Sequence, residues 1–288
     1  MDDAINDKNV WRNQSMGPIV YEPARGHVSL GLREIWRYRD LLFFLAWRDI
    51  KVRYTQAALG AAWAVIQPVL TMVIFSIVFG TLAGLPSEGI PYPIYSYAAL
   101  LPWQLFAGGL TRCSESLVGN NNLLTKVYFP RLIMPLSSVA AGIVDFIIAF
   151  VVLLGMLAYY RIGLAWPILA VPWLTALALA CSFGAGLWLS ALNVQFRDVR
   201  RAVPFIVQAW MYASPVAYSA SIVPSSGPWR LIYSLNPMTG VIQGFRWALL
   251  GAEFPRDGLI ASALVTGALV LGGLIVFVRM ERSFGDVV

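Results

Sequence analysis

The chain has 288 residues, of which 58% are hydrophobic and 12% are charged. Soluble domains average about 25% charged residues, so this composition excludes a soluble enzyme, a disordered chain and a disulfide-stabilised secreted module. The 21 basic and 15 acidic residues give a net charge of +6. In a membrane protein this excess indicates basic cytoplasmic segments rather than nucleic-acid binding.

Two segments precede the apolar part of the chain. Residues 1–28 are polar and contain no apolar run of the signal-peptide type, so we expect a cytoplasmic N-terminal segment. Residues 29–56 are predicted to form a basic amphipathic helix in the membrane interface, kinked near Arg39 and Asp40. Its apolar face is predicted to hold Leu32, Ile35, Trp36, Phe43, Ala46, Trp47, Ile50 and Tyr54. Two interpretations remain open: a juxtamembrane anchor, and a sliding or gating helix.

Six long apolar segments follow, and each is long enough to cross a bilayer, which takes about 20 residues. They lie at 57–83, 94–117, 132–160, 165–193, 201–219 and 257–279. Basic residues concentrate on the side that holds both termini, and the opposite side keeps only Arg161, Arg230, Arg246 and Arg256. We therefore expect one six-span domain, 57–279, and a cytoplasmic tail, 280–288, with both termini in the cytoplasm.

Residues 220–256, between the last two spans, are too many for a tight turn and too apolar for a solvated loop. Prolines and aromatic residues in this region predict two short helices, near 228–235 and 238–250, broken at Asn236-Pro237. Broken helices persist at membrane depth only where protein or a watery cavity covers their backbone. We expect a re-entrant pair that lines or caps a pathway on the periplasmic side.

Other recognisable motifs in the sequence favour structural roles. The chain has no G-x-x-x-x-G-K-[S/T] phosphate loop, no H-E-x-x-H and no G-x-S-x-G, so we expect no enzyme activity, metal or cofactor in this chain. Cys113 and Cys181 lie far apart in apolar surroundings and are interpreted as small core residues. Gly80–Gly84 and Gly240–Gly244 have the small-xxx-small spacing of close helix packing.

One acidic side chain lies within the predicted third span. Asp145 is near the middle of this span, where a charge costs about 2.5–3.5 kcal/mol on insertion scales. Arg112 lies in the neighbouring second span. We favour an intramembrane polar tie from Asp145 to Arg112, or to hydroxyls such as those of Ser137 and Ser138. The alternative is a site for a coupling ion.

Several strings, in this order, carry a resemblance that covers residues 30–280. They are RDIKVRYTQAALGAAWAVIQPVLTMVIFSIVFG (48–80), ALLPWQLFAGGL (99–110), SLVGNNNLLTKVYFPRLIMPLSSV (116–139), ALNVQFRDVRRAVPFIVQAWMYASPVAY (191–218) and LNPMTGVIQGFRWALLG (235–251). Together they resemble the ABC-2 type permease subunits of bacterial polysaccharide exporters. The O-antigen branch is the most similar, followed by the capsule and teichoic acid branches.

The resemblance implies an all-α membrane protein with the ABC-2 type, type V-like exporter fold. It implies a homodimer in the bacterial inner membrane, paired with two copies of a separate ATPase subunit that binds ATP and Mg. The permease would form the channel through which a polysaccharide linked to polyprenyl diphosphate reaches the periplasm. The missing phosphate loop agrees with a separate ATPase chain.

The resemblance also implies contacts between cytoplasmic segments and the ATPase. An apolar, asparagine-rich segment between the second and third spans is predicted to form a coupling helix, and Arg197 and Asp198 a second contact. The residues of the first segment are Asn120, Asn121, Asn122, Leu123, Leu124, Lys126, Val127, Tyr128, Phe129 and Arg131. A helix lying on lipid, with Tyr128 and Phe129 at the interface, is the alternative.

Two further sets of residues are assigned to the substrate. Arg48, Lys51 and Arg53 are predicted to receive the diphosphate headgroup, because clustered cations and arginine forks bind phosphate. Positive-inside topology explains the same residues almost as well. Candidates for the channel lining are Trp63, Gln67, Phe75, Trp210, Tyr212 and Tyr218. An aromatic belt facing lipid is the alternative for these side chains.

Three other classes of protein compete with this interpretation. An ABC-2 exporter of drugs or small lipids would share the same architecture. A membrane-embedded enzyme acting on polyprenyl phosphate lipids would need clustered Asp, Glu or His at the membrane surface, and the sequence offers none. A secondary transporter is disfavoured because the spans carry few charges and no internal repeat is detectable.

Overall fold

A computed structural model describes residues 32–55, 62–120, 123, 129–222 and 233–281. Within these ranges the regular structure is entirely helical, so the predicted all-α fold is confirmed there. The helices that position the site are α1 (Leu32–Arg37), α2 (Arg39–Thr55), α3 (Ala62–Phe75), α4 (Tyr92–Glu115), α5 (Ile133–Ala140), α6 (Gly142–Tyr159), α7 (Val171–Gln195), α8 (Asp198–Ala213), α9 (Pro237–Leu250) and α10 (Arg256–Glu281).

Four helical segments of the described ranges are long and apolar enough to cross a membrane. They are Ala62–Leu82, Ile133–Tyr159, Trp166–Gln195 and Arg256–Glu281. Helices α4 and α8 coincide with the predicted second and fifth spans but are not among these four. The 16 residues of α8 extend about 24 Å, less than the roughly 30 Å of a bilayer core.

Helix α4 lies at the centre of the larger core cluster. Its buried side chains include Tyr95, Tyr97 and Phe106, and it packs against α3, α6, α7, α8 and α9. A second, smaller cluster joins Leu45 of α2 to the end of α4, to α5, to α7 and to Phe277 of α10. The second cluster therefore fixes the N-terminal helices on the bundle, next to the end of α4.

The two N-terminal helices meet at Tyr38, close to the predicted kink. The prediction of a single apolar face on this segment was wrong. Ile35, Leu41, Leu42 and Leu45 pack on the second cluster. The large aromatic side chains Trp36, Phe43, Phe44 and Trp47 are exposed. Apolar residues thus occupy two sides of the segment, one against protein and one available to lipid.

The two small-xxx-small strings serve different purposes. Gly240 in α9 lies against the backbone of Gly258 in α10, so a side chain at residue 240 would collide with the neighbouring helix. Gly84 has a φ of +61°, a left-handed conformation that favours glycine. The first string therefore combines a turn at Gly84, after the π-helical segment Ser76–Leu82, with close packing at Gly80, where a Cβ would collide with the Tyr92 ring of α4.

Helix α9 begins at the predicted break. Asn236 is extended, and its side-chain oxygen accepts a hydrogen bond from the Met238 backbone N–H at 3.1 Å, as a helix N-cap does. Pro237 then occupies the first helical position, where its missing N–H costs nothing. Most of the other predicted short helix, near 228–235, lies outside the described residues.

Candidate functional site

A cleft of about 760 Å³ lies between α3, α4, α6 and α8. Helix α4 forms its floor, because both α3 and α8 pack against α4. The lining residues on α4 run from Leu100 to Arg112, about 18 Å along the helix axis. Arg53 and Tyr54, in the last turn of α2, complete the wall beside Arg112.

Charged groups of the cleft gather at its α2 end. Asp145 accepts hydrogen bonds from the Arg53 guanidinium and from the Tyr54 hydroxyl. Arg112 Nη1 lies 3.9 Å from Asp145 Oδ2, within the range of an ion pair. Burial, followed by the hydrogen bond to Asp145, raises the pKa of Tyr54 to about 12. This hydroxyl is therefore protonated at neutral pH and able to donate.

The Arg112 guanidinium is held by a backbone carbonyl and has space beside two glycines. Its Nε donates to the Ser138 backbone carbonyl at 3.1 Å, which ties α4 to α5. Glycines at 108 and 142 leave room, since a Cβ atom at either position would collide with the guanidinium. Ser137 and Ser138 were the predicted hydroxyl partners of Asp145. Ser138 instead contributes its backbone carbonyl to Arg112, and the Ser137 hydroxyl donates to the Met134 carbonyl.

Amides and indoles line the cleft above the charged end. Gln67 of α3, Gln104 of α4 and Gln208 of α8 each contribute to the wall, together with Trp63 and Trp103. Amides both donate and accept hydrogen bonds, and indole faces offer flat apolar contact. This combination suits a polar ligand with apolar patches, such as a sugar ring.

The remaining predicted lining residues lie outside this cleft. Phe75 is buried and packs edge-on against Phe79, with ring centroids 5.2 Å apart. The Trp210 indole N–H donates to Asn236 Oδ1 at 2.9 Å. Tyr212 is exposed, and its carbonyl accepts a hydrogen bond from the Tyr218 hydroxyl at 3.3 Å. Of the six predicted residues, the cleft wall contains Trp63 and Gln67.

Asn236 joins the end of α8 to the start of α9, a role that the sequence did not indicate. Its amide nitrogen donates to the Ala213 carbonyl and to the Ser214 hydroxyl, while its oxygen caps α9 and accepts from Trp210. One side chain therefore satisfies groups on both helices. The Asn-Pro dipeptide signals the cap, whereas the long-range partners depend on tertiary packing.

Replacing Asn236 with alanine is expected to cost about 1–2 kcal/mol, because the cap and the contacts with α8 are lost together. Asn236→Asp keeps the capping oxygen but loses the amide donor, so we expect a smaller loss. Thermal unfolding of the purified variants in detergent measures both. Equal stability of wild type and both variants would contradict the assigned role.

The predicted headgroup residues divide between the cleft and its surroundings. Arg53 lines the cleft, and Lys51 is exposed on α2. Arg48 Nη2 lies 2.8 Å from Asp49 Oδ1 and donates to Asn120 Oδ1, also at 2.8 Å. Arg48, predicted for the headgroup, therefore contacts Asn120, which was predicted for ATPase coupling.

The predicted coupling segment is described in part. Asn121, Asn122, Leu124, Lys126, Val127 and Tyr128 lie outside the described residues. Phe129 is buried in the second core cluster and Leu123 packs against that cluster, so the Phe129 side chain is not exposed to a partner. Arg131 Nη1 donates to the Glu281 carbonyl at 2.6 Å, which joins the segment to α10.

The second predicted coupling contact is at the start of α8. Arg197 and Asp198 are both exposed there. Arg200, in the first turn of α8, forms an exposed ion pair with Glu115 of α4 at 3.2 Å.

Among the described residues, no group of three or more His, Cys, Asp or Glu side chains could hold a metal ion.

Sequence reasoning missed several polar or small residues of the cleft, among them Tyr54, Gln104, Gln208 and the glycine Gly142 beside Arg112. Gln104 and Gln208 had a usable signal, because an amide inside an apolar segment is costly unless it faces a partner or a polar cavity. Tyr54 and Gly142 had none, since their roles depend on how α2 and α6 approach each other.

The described residues form helices, four segments of which are long and apolar enough to cross a membrane, around a cleft with charged, amide and indole groups in its walls. A family model described as ABC-2 type transporter matches residues 40–250. The chain therefore belongs to the ABC-2 type transporter family, and the predicted membership is confirmed.

Three relatives illustrate the similarity. The O-antigen export system permease protein RfbA of Myxococcus xanthus is 27% identical over 88% of this chain and 98% of the relative. RfbA of Klebsiella pneumoniae is 28% identical over 86% of this chain and 95% of the relative. The polysialic acid transport protein KpsM of Escherichia coli is 22% identical over 70% and 78%.

Proposed function

We propose that this chain is the membrane subunit of an ATP-driven exporter of polysaccharide linked to polyprenyl diphosphate, with O-antigen-type polymers as the substrate class. The cleft is the observation that carries the proposal: it combines a cationic end with walls of amides and indoles. A diphosphate headgroup suits the first part, and sugar rings suit the second. The similarity to O-antigen export permeases along almost the whole relative supports the same substrate class.

The proposed topology has six spans, with α4 and α8 added to the four apolar segments. Both termini lie in the cytoplasm of the bacterium, as the distribution of basic residues favours. Helix α9 then belongs to a re-entrant region on the periplasmic side. Helices α1 and α2 lie in the cytoplasmic interface, with the exposed aromatic side chains of α2 in lipid.

The proposed assembly is a homodimer in which two clefts face each other. Helices α3 and α8 flank the cleft and carry exposed apolar side chains, including Leu70, Ile74 and Phe205. A second copy placed against these helices would enclose the path between the two α4 floors. Two copies of a separate ATPase subunit, which binds ATP and Mg, would dock on the cytoplasmic segments around Asn120 and Arg197.

Co-purification with a partner and substrate-dependent ATP hydrolysis test the proposal. The tagged chain is isolated from mild detergent, and ATPase activity is measured with lipid-linked glycan or with hydrophobic drugs. We expect an ATPase subunit in equal amounts and stimulation by the glycan. Stimulation by drugs alone would favour a drug exporter, and a chain that elutes alone and hydrolyses no ATP would contradict the ABC mechanism.

Removing the amides from the cleft should impair polymer passage without affecting assembly. The double variant Gln67→Leu/Gln104→Leu is expected to lower polysaccharide export about tenfold, because two hydrogen-bonding groups are lost from the path. Surface polymer is quantified in cells, and assembly is monitored by the amount of co-purified ATPase. The control Leu271→Ala changes an exposed α10 residue outside the cleft wall and outside the proposed dimer interface, and it should export normally.

Full export by the double variant, at normal protein levels, would contradict a path through this cleft. Loss of the co-purified ATPase would instead show that the substitutions disturb the fold. Export and assembly are therefore read on the same cells.

A further inference from the structure

Two guanidinium groups share one carboxylate at the α2 end of the cleft. Arg53 donates to Asp145 Oδ2, and Arg112 Nη1 lies 3.9 Å from the same oxygen. The Tyr54 hydroxyl donates to Asp145 Oδ1. Two positive charges against one negative charge leave this group with a net positive charge, next to an open cleft.

These charged side chains remain accessible. The exposed fractions are 34% for Arg53, 24% for Arg112 and 30% for Asp145. A sealed ion pair would have to be broken before a ligand reached it, whereas these groups meet the cleft directly. The partial exposure makes exchange of one anion for another feasible without unfolding the helices.

The two arginines are held differently. Arg112 is anchored through its Nε to the Ser138 carbonyl, which leaves its terminal nitrogens directed to the cleft end that Asp145 occupies. Arg53 sits on α2, and its ion pair with Asp145 holds the last turn of that helix against α6. One cation is therefore part of the bundle, and the other belongs to the N-terminal segment.

We propose that Arg53 and Arg112 form a binding site for a diphosphate group and that Asp145 is its displaceable counter-ion. An arriving diphosphate takes the place of the Asp145 carboxylate between the two guanidiniums and releases the last turn of α2 from α6. Arg112 thereby gains a role in binding, beyond the polar tie with Asp145. This inference rests on the proposed function, since that function supplies the substrate with its diphosphate.

Competition with the Asp145 carboxylate for the two arginines favours a multiply charged ligand. The Asp145 carboxylate is tethered, so it competes at a high effective concentration against any free anion. A diphosphate offers more negative charge and more acceptor oxygens than one carboxylate, and it can engage both arginine forks in bidentate contacts. Monovalent anions gain too little to displace Asp145, which makes the site selective for the diphosphate class.

Removing the counter-ion is therefore expected to strengthen ligand binding. Asp145→Asn should raise the affinity for diphosphate about tenfold, whereas Arg112→Gln should lower it about tenfold. The gain from Asp145→Asn should disappear when Arg53 and Arg112 are both glutamine. The control is Glu115→Gln on the same helix as Arg112, because the Glu115 carboxylate pairs with Arg200 instead.

The measurement uses the permease with its co-purified ATPase in lipid nanodiscs. A saturating non-hydrolysable ATP analogue occupies the nucleotide sites, and binding of radiolabelled inorganic pyrophosphate is titrated. Direct binding of a radiolabelled, sugar-free polyprenyl diphosphate is titrated in parallel samples. Detection of both ligands, with the expected order of variants, supports a site for the shared diphosphate group.

The remaining outcomes separate the two proposals. Binding of polyprenyl diphosphate alone supports the site with a lipid requirement, and binding of pyrophosphate alone supports the site but contradicts a lipid-linked substrate. Unchanged or weaker binding in Asp145→Asn, while wild type binds, overturns the counter-ion role. No binding of either probe overturns the site, and polysaccharide export measured in cells then decides independently whether the proposed function stands.

Discussion

Arg246→Ala is expected to lower stability by about 2–4 kcal/mol and to reduce the yield of folded protein. Arg246 is 2% exposed and lies in α9. Its guanidinium carbon is 3.7 Å from the centroid of the Tyr95 ring in α4. Nη1 and Nη2 donate to the carbonyls of Tyr218 and Val216 at 3.3 and 3.2 Å. Alanine would leave the buried Val216 carbonyl and the partly buried Tyr218 carbonyl without this partner, and it would leave an empty volume beside the ring.

The contacts of Arg246 fix the segment that follows α8. Residues 214–218 are not helical and the first four of them are buried, so their backbone groups need partners outside a regular helix. Arg246 supplies two donors to this segment and stacks on Tyr95, so it joins α9 and α4 to the end of α8. Loss of these contacts would loosen one wall of the cleft as well as the bundle.

The loss of stability is measured by thermal unfolding of purified protein, monitored as the decrease in the monodisperse fraction. Arg246→Lys keeps the charge but cannot reproduce the planar stack and the two-carbonyl fork, so we expect an intermediate loss. Arg256→Ala, an exposed residue at the start of α10, is the matched control and should unfold like wild type. Equal stability of Arg246→Ala and Arg256→Ala would contradict the role of Arg246.

How well the sequence predicts a feature of the fold depends on how far apart along the chain the interacting residues lie. Long uncharged runs predicted the positions of the helices, because burial in lipid depends on local composition. The start of α9 was also predictable, since Asn236 and Pro237 act within one turn. The burial of Arg246 was not predictable: charge counting placed it among the basic residues outside the spans, and its partners come from other elements.

The charged end of the cleft illustrates the same limit. Asp145 and Arg112 stood out because each is a charge inside an apolar run, and a polar contact between neighbouring spans was a reasonable hypothesis. Arg53 and Tyr54 lie about ninety residues earlier in the chain, and their contact with Asp145 depends on the packing of α2 along α5. Helical spacing in α2 gave no such information, because its apolar residues occupy two sides.

Arg48→Gln and Asn120→Ala are each expected to lower polysaccharide export about tenfold while ATP hydrolysis by the complex falls less than twofold. The Arg48 guanidinium donates a hydrogen bond to the Asn120 side chain at 2.8 Å, which joins α2 to the start of the proposed coupling segment. Hydrogen bonds to charged groups contribute about 1.5–3 kcal/mol, enough for an effect of this size. Each change removes the link without altering the nucleotide sites.

A double variant separates this linkage from a direct role of Arg48 in binding the headgroup. If the two side chains act through each other, Arg48→Gln/Asn120→Ala should be no worse than either single variant. Asn120→Asp keeps an acceptor for Arg48 and should restore export. Normal export by Asn120→Ala, with strong loss in Arg48→Gln, would instead favour headgroup binding. Arg39→Gln, an exposed change in the same helix, should leave export and hydrolysis unchanged.

The two attachments of α2 give this prediction its mechanistic meaning. Arg48 connects to the coupling side, and five residues later Arg53 connects to Asp145, about 7.5 Å further along the helix. A diphosphate that displaces Asp145 frees one attachment, while motion of the ATPase would act on the other. Export should therefore require both events, whereas basal ATP hydrolysis, measured without glycan, requires neither. If α2 works through both attachments, breaking one of them should cause a loss of export while basal hydrolysis is retained. If α2 were only a membrane anchor, export would not depend on these two contacts.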